Sequence, residues 1–197
     1  MKHHVKLFLL YSFLWFVSLV LVSLIFNKNI IKANNVYTVL KTLPMGLLFT
    51  LIQCLIEEII FRGWYFIIRK KTNINFIWYV LISGFLFSLF HIFNTEVSEN
   101  TVKILILFNY FIIGSYFMFI AIKTESLASS YGAHFGNNMF TFFLVSSLNS
   151  SAPFPSVFKI TLSENNAPLL FTTLALELGI SSIPILFPYL KSIKNKR

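Results

Sequence analysis

The sequence predicts an all-α, polytopic membrane protein, with about six transmembrane helices in one domain over residues 1–197 and both termini in the cytoplasm. Three observations predict it. Hydrophobic residues make up 56% of the 197 and charged residues 12%, with a mean hydropathy of +0.75, whereas a soluble domain is about 45–50% apolar and about 25% charged. The apolar residues gather into runs of about 20, the length a helix needs to cross a bilayer. The Lys and Arg residues sort between alternate ends of those runs. This composition excludes a soluble globular domain and a disordered chain, and with Cys54 as the single cysteine it excludes a disulfide scaffold.

The runs follow in order. Leu7–Phe26 is too long for a signal-peptide core and no small-residue cleavage site follows it, so it reads as a retained anchor. The second span runs from about Leu43 to Ile68, beginning just before Pro44, and Val36–Leu43 either extends it or lies on the surface. The third is about Phe76–Phe93, the fourth Val102–Ile122 and the fifth about Leu127–Leu148. The sixth is Pro168–Leu190, with Pro184 and Pro188 able to bend its end. No internal repeat and no low-complexity segment is visible.

Orientation follows from charge. With the N-terminus inside, the inner segments are Met1–Lys6, the Arg69-Lys70-Lys71 turn, the loop at Lys123 and the tail Lys191–Arg197, and they hold ten of the 16 basic residues. Lys28, Lys32, Lys41, Lys103 and Lys159 fall outside, and Arg62 lies within a helix. That bias predicts N-in and C-in. The outer loop Asn94–Asn100, with Glu96 and Glu99 and no basic residue, agrees. The net charge of +9 does not point to nucleic acid, because the basic residues form no stripe.

The informative residues are the polar ones inside apolar runs. A charge at the centre of a membrane helix costs roughly 2.5–3.5 kcal/mol on translocon scales, and the second span carries Glu57, Glu58 and Arg62. Glu58 and Arg62 are four apart and can pair on one helix face. Glu57 is rotated about 100° from Glu58 and can point elsewhere. One division has Glu58 and Arg62 compensating each other and Glu57 left for chemistry; the plainer alternative is an ion pair that only packs helices. The third span contains His91. The fifth contains His134 and Asn138, again four apart. Counted at about 1.5 Å per residue from the cytoplasmic ends, Glu57 lies about 18 Å deep, His91 about 22 Å, His134 about 10 Å and Asn138 about 16 Å. They can converge in one layer of the membrane. Gly132 and Gly136 bracket His134, and Gly84 and Ser88 precede His91, which suits close helix approach. Glu177 in the sixth span, about 21 Å deep, could balance Arg62, bond a histidine or face a cavity. The Phe-rich stretches read as lipid-facing or packing surface. His3 and His4 read as solvent-facing, with no role.

A carboxylate and two imidazoles around a buried space suit hydrolysis: a Glu as general base on water, a His sharing the proton work, and His and Asn as donors to an oxyanion. The sequence has no G-x-S-x-G and no H-E-x-x-H, so neither a serine nucleophile nor a zincin site is favoured. Zinc held by Glu57, His91 and His134 stays open, since a His₂Glu set occurs at catalytic zinc.

Glu57-Glu58-Ile59-Ile60-Phe61-Arg62 resembles the E-E-x-x-x-R motif of the CAAX-protease and bacteriocin-processing intramembrane proteases, also called the Abi family. Phe87-Ser88-Leu89-Phe90-His91 is similar to its F-x-x-x-H motif and His134-Phe135-Gly136-Asn137-Asn138 to its H-x-x-x-N motif, in the family's order. The motif-bearing core is about 43–148. The resemblance implies a glutamate-type intramembrane endopeptidase needing no cofactor. In it Glu57 and His91 activate the water, His134 and Asn138 form the oxyanion site, and Glu58 and Arg62 position the first Glu. It implies a peptide or membrane-protein substrate within a lipid bilayer, no nucleic acid, and peptide maturation or bacteriocin processing and self-immunity in a bacterial plasma membrane. The alternatives are a non-proteolytic scaffold or immunity protein of the same fold, and a proton-coupled transporter. Six spans without an inverted repeat count against the transporter.

Overall fold

The longest apolar run folds into one helical rod. Helix α2, Val36–Glu58, passes through a π-helical turn, Ile59–Gly63, into α3, Trp64–Ile68, so that Val36–Ile68 forms a single apolar stretch of 33 residues. Asn35 caps its start by accepting from the Tyr37 amide at 3.1 Å. Val36–Leu43 therefore extends the second span. Pro44 lies inside the helix, not at its start, and with no N–H it leaves the ladder one bond short.

The computed structural model describes residues 2–26, 31–32, 34–94, 100–147 and 154–160. The expected sixth span with Glu177, the loop residues Glu96 and Glu99, and the basic tail all lie outside the described residues. Helix α1 is Lys2–Phe26, α4 is Phe76–Phe90, α5 is Asn100–Thr124 and α6 is Leu127–Met139. By length and composition, Val36–Ile68 and Lys103–Thr124 can each cross a membrane. His3–Val17 and Phe76–Phe90 are shorter apolar helices. The faces of the Val36–Ile68 rod and of α4 turned away from the protein carry bare Leu48, Ile52, Ile60, Phe85 and Leu89, an apolar surface that suits lipid rather than water.

Two expected spans end differently. The α-helical part of the third stops at Phe90, and His91–Asn94 continue as a 3₁₀ turn, so His91 caps the helix instead of lying within it. The fifth gives way after Met139 to a π-helical turn, Phe140–Leu144, and then to a strand. β-Branched Val145 and the serines after it favour helix less than strand or turn. The fold is thus helical but not purely so. Strands β1 (Ile31–Lys32), β2 (Val145–Ser147) and β3 (Phe158–Ile160) form a small sheet in the order β1-β3-β2. Ile31 pairs with Lys159 antiparallel and Val145 with Phe158 in parallel.

Helix α6 is the hub. It packs on α1 and also touches α2 and α5, while α4 packs on α5. A Cβ at Gly132 would run into the Phe8 carbonyl and one at Gly136 into the Ser12 carbonyl, so the G-x-x-x-G brings α1 and α6 backbone to backbone. Tyr11, Trp15, Ile113, Phe117, Ile120, Ala133 and Phe140 form the buried core between α1, α5 and α6. A smaller core joins Tyr65, Tyr79, Val80 and Met118. Ser88 Oγ donates to the Leu107 carbonyl at 2.7 Å, tying α4 to α5. Glu125, at φ 50°, turns the chain between α5 and α6. The Ser126 hydroxyl then caps α6 and also bonds His4 Nδ1 at 2.9 Å, so His4, solvent-facing as expected, nonetheless has a role in tying α1 to this turn.

Candidate active site

Glu57 and Glu58 end α2, and the helical offset between them sends the two carboxylates to different partners. Glu58, fully buried, accepts from Arg62 Nη1 at 2.8 Å and from His134 Nδ1 at 3.0 Å, both on Oε1. Arg62 is also fully buried and donates from Nη2 to the Gly114 carbonyl at 3.3 Å. Its guanidinium lies 4.5 Å from the Phe87 ring centre and 5.4 Å from that of Phe117. The charges on this side are paired and walled by aromatic rings, although Glu58 Oε2 and Arg62 Nε have no hydrogen-bond partner among the described residues. Arg62 sits in the π-helical turn, a local widening of the helix often found at functional sites.

Glu57 faces the other way. Its Oε1 accepts from Gln53 Nε2 at 2.9 Å. Its Oε2 stands 3.5 Å from His134 Nε2 and, among the described residues, has no hydrogen-bond partner although it is buried. His134 thus lies between the two carboxylates. Because a carboxylate only accepts, Nδ1 of His134 carries the proton toward Glu58. Nε2 then has two uses: it accepts from Asn138 Nδ2 at 3.3 Å when neutral, and it presents a proton to Glu57 when protonated.

Asn138 is fixed from behind. Its Oδ1 accepts from Asn137 Nδ2 at 3.2 Å, and Asn137 Oδ1 accepts from the indole of buried Trp15 at 3.1 Å. That leaves Nδ2 of Asn138 turned toward His134 and, at 3.3 Å, toward Cys54 Sγ. His91 makes no hydrogen bond to these residues among those described. Its Nδ1 donates to the Phe87 carbonyl at 2.8 Å, which leaves Nε2 as the free nitrogen. Its ring lies 4.4 Å from Phe87 and 4.3 Å from Tyr110, and it is within electrostatic reach of Glu57 and His134.

Five of the six residues singled out by sequence therefore form one connected cluster, and Phe87 joins the sixth to it. The phenylalanines were not all lipid or packing surface. Phe87 touches Arg62, His91 and His134, and the Phe117 ring stacks on His134 at 5.2 Å. Gln53, Cys54, Asn137 and Trp15 escaped sequence reasoning. The signal for Gln53 was its place one turn before Glu57; nothing in the sequence pointed to Trp15. Glu57, His91 and His134 do not come together as a ligand set, and among the described residues no three His, Cys or carboxylate groups stand where they could hold a metal ion. Beside the cluster, an apolar groove of about 610 Å³ runs between the α2–α3 rod and α4, from Ile68 and Ile74 to Leu89 and Phe90.

Residues 39–140, the stretch that holds every one of these site residues except Trp15, match the family model described as Type II CAAX prenyl endopeptidase Rce1-like. The chain belongs to the Rce1-like family. The Rce1-like family is a family of membrane-embedded proteases. The chain is also 32% identical over 156 residues to the Bacillus subtilis (strain 168) protein YyaK, itself described only as uncharacterized. That match covers 79% of this chain and 50% of YyaK, so the chain spans about half the length of this curated relative. No solved structure matches it.

Proposed function

We propose that the chain is an intramembrane endopeptidase that cleaves a peptide bond with water activated by Glu57. The observation that carries this reading is the buried, unpartnered Oε2 of Glu57, 3.5 Å from His134 Nε2. A buried carboxylate oxygen that accepts no hydrogen bond and lies within reach of an imidazole has the geometry of a general base. Oε2 takes a proton from water as the water oxygen bonds to the substrate carbonyl carbon. The resulting oxyanion accepts from Asn138 Nδ2 and from protonated His134 Nε2. As the intermediate collapses, the C–N bond breaks and the proton taken by Glu57 passes to the leaving amine, with His91 Nε2 as the second proton carrier. Glu58 and Arg62 hold His134 and the helix end in place.

The substrate in this reading is a peptide or membrane protein, and the apolar groove beside Phe90 has room for its apolar segment. The chain crosses a bacterial plasma membrane about six times with both termini inside, as the basic residues suggest. Its work there is peptide maturation or bacteriocin processing and self-immunity. The hydrolysis needs no metal; zinc on Glu57, His91 and His134 is the competing chemistry. Cleavage of a broad peptide set by the purified protein in liposomes tests the reading. It predicts cleavage by the wild type that survives a strong zinc chelator and is lost in Glu57→Gln and His134→Ala. Loss to chelator with recovery on added zinc would replace the glutamic chemistry, and no cleavage by any form would favour a scaffold or immunity role.

A further inference from the structure

Glu57 has two carboxylate oxygens, and the structure treats them differently. Oε1 accepts from the Gln53 amide at 2.9 Å, whereas Oε2 is buried without a partner among the described residues and faces His134. The terminal torsion of a glutamate is broad and two-fold, so nothing intrinsic keeps one oxygen in one place. A donor on Oε1 breaks that symmetry, because exchanging the oxygens would give up a charge-assisted hydrogen bond. The other charged and titratable groups near Glu57 come from several elements: Cys54, Glu58 and Arg62 from its own rod, His91 from the turn after α4, Tyr110 from α5 and His134 from α6. Among the described residues, Gln53 is the one that hydrogen-bonds Oε1.

The orientation of the Gln53 amide follows from the same contact. With nitrogen and oxygen exchanged, two acceptors would face each other, so Nε2 points to Glu57. Gln53 Oε1 is then a second buried acceptor without a partner, one helical turn from Glu57 Oε2. Buried acceptors call for donors, and a water between them has two hydrogens to give.

We propose that Gln53 is a positioning residue of the hydrolysis: it holds Oε1 of Glu57 and so dedicates Oε2 to the attacking water. The inference rests on Glu57 being the base. It also sets Gln53 apart from a polar residue that merely satisfies itself along a membrane helix, since such a residue could be replaced by an apolar one of equal length without loss of turnover.

The test uses the full chain in liposomes, a cleavable peptide, and the variants Gln53→Met, Gln53→Glu and Glu57→Gln. Methionine keeps the length and removes the amide. Glutamate keeps the shape and sets a second carboxylate against Oε1. The expected result is a kcat lowered roughly tenfold in Gln53→Met and roughly a hundredfold in Gln53→Glu, with KM held within about twofold. The melting temperature of Gln53→Met stays within about 2 °C of the wild type. Unchanged kcat in both Gln53 variants overturns the inference while leaving Glu57 as the base. A kcat loss in Gln53→Met that only tracks a lowered melting temperature also overturns it. Activity retained in Glu57→Gln overturns the inference together with the reading beneath it.

Discussion

The two carboxylates at the end of α2 are neighbours in sequence and opposites in environment. Around Glu58, Arg62, His134 and the Gly114 carbonyl supply charge and hydrogen bonds, and the rings of Phe87 and Phe117 close off the rest. Both carboxylates keep one buried oxygen, Oε2, without a hydrogen-bond partner among the described residues, but the bonded oxygen of Glu57 meets only the neutral Gln53 amide where that of Glu58 meets a guanidinium and an imidazole. A paired buried charge is a structural element, because removing one partner strands the other. A carboxylate hydrogen-bonded only by a neutral amide is better placed to take a proton than one bonded to a guanidinium. On the proposed function, the E-E pair is not a doubled acid but a fixed side and a working side, with His134 shared between them.

The comparison can be broken most severely on the fixed side. Arg62→Leu leaves Glu58 buried beside a neutral side chain, and a loss of about 3–5 kcal/mol in stability is expected, read as a lowered melting temperature or failure to purify from membranes. On the working side, Asn138→Ala removes the donor proposed for the oxyanion. Turnover should fall roughly 10²- to 10³-fold with the protein still folded, checked by kcat beside a melting curve. At the α1–α6 contact, Gly136→Leu has to push its side chain into the Ser12 carbonyl. Overpacking of this kind costs about 1–3 kcal/mol, and by moving α6 it should reduce stability and turnover together. The smallest effect is expected for Trp15→Phe. It keeps the ring against Phe117 but drops the bond to Asn137, for about 0.5–1.5 kcal/mol in stability and a modest kcat loss through a looser Asn138.

Much of this was legible in the chain because membrane helices put strong demands on polar residues. Glu57, Glu58, Arg62, His134 and Asn138 stood out against apolar runs, and the i,i+4 spacing of Glu58 and Arg62 predicted the pair that forms at 2.8 Å. The starts of α4 and α6 were equally readable, each at a residue just after an Asn or Ser cap. What the chain hid depends on contacts between distant residues. Trp15 and Asn137 meet 122 positions apart. The short sheet joins Ile31, Val145 and Phe158, none of which carries a local strand signal long enough to notice. His91 was placed inside a helix because hydropathy runs on past Phe90, whereas the backbone tightens there into a 3₁₀ turn. The π-helical turn at Ile59–Gly63 was invisible for a similar reason: one extra residue in a turn leaves composition unchanged.

The central claim is tested most directly by comparing Glu57→Gln with Glu58→Gln, measuring both turnover and melting temperature in the same liposomes. The account predicts that Glu57→Gln loses roughly 10²- to 10⁴-fold in kcat at unchanged or higher melting temperature. Glu58→Gln should instead lose stability, with buried Arg62 deprived of its charge partner. Equal destabilisation by both variants, or a Glu58→Gln protein of wild-type stability that has lost all turnover, would contradict the division into a fixed and a working carboxylate.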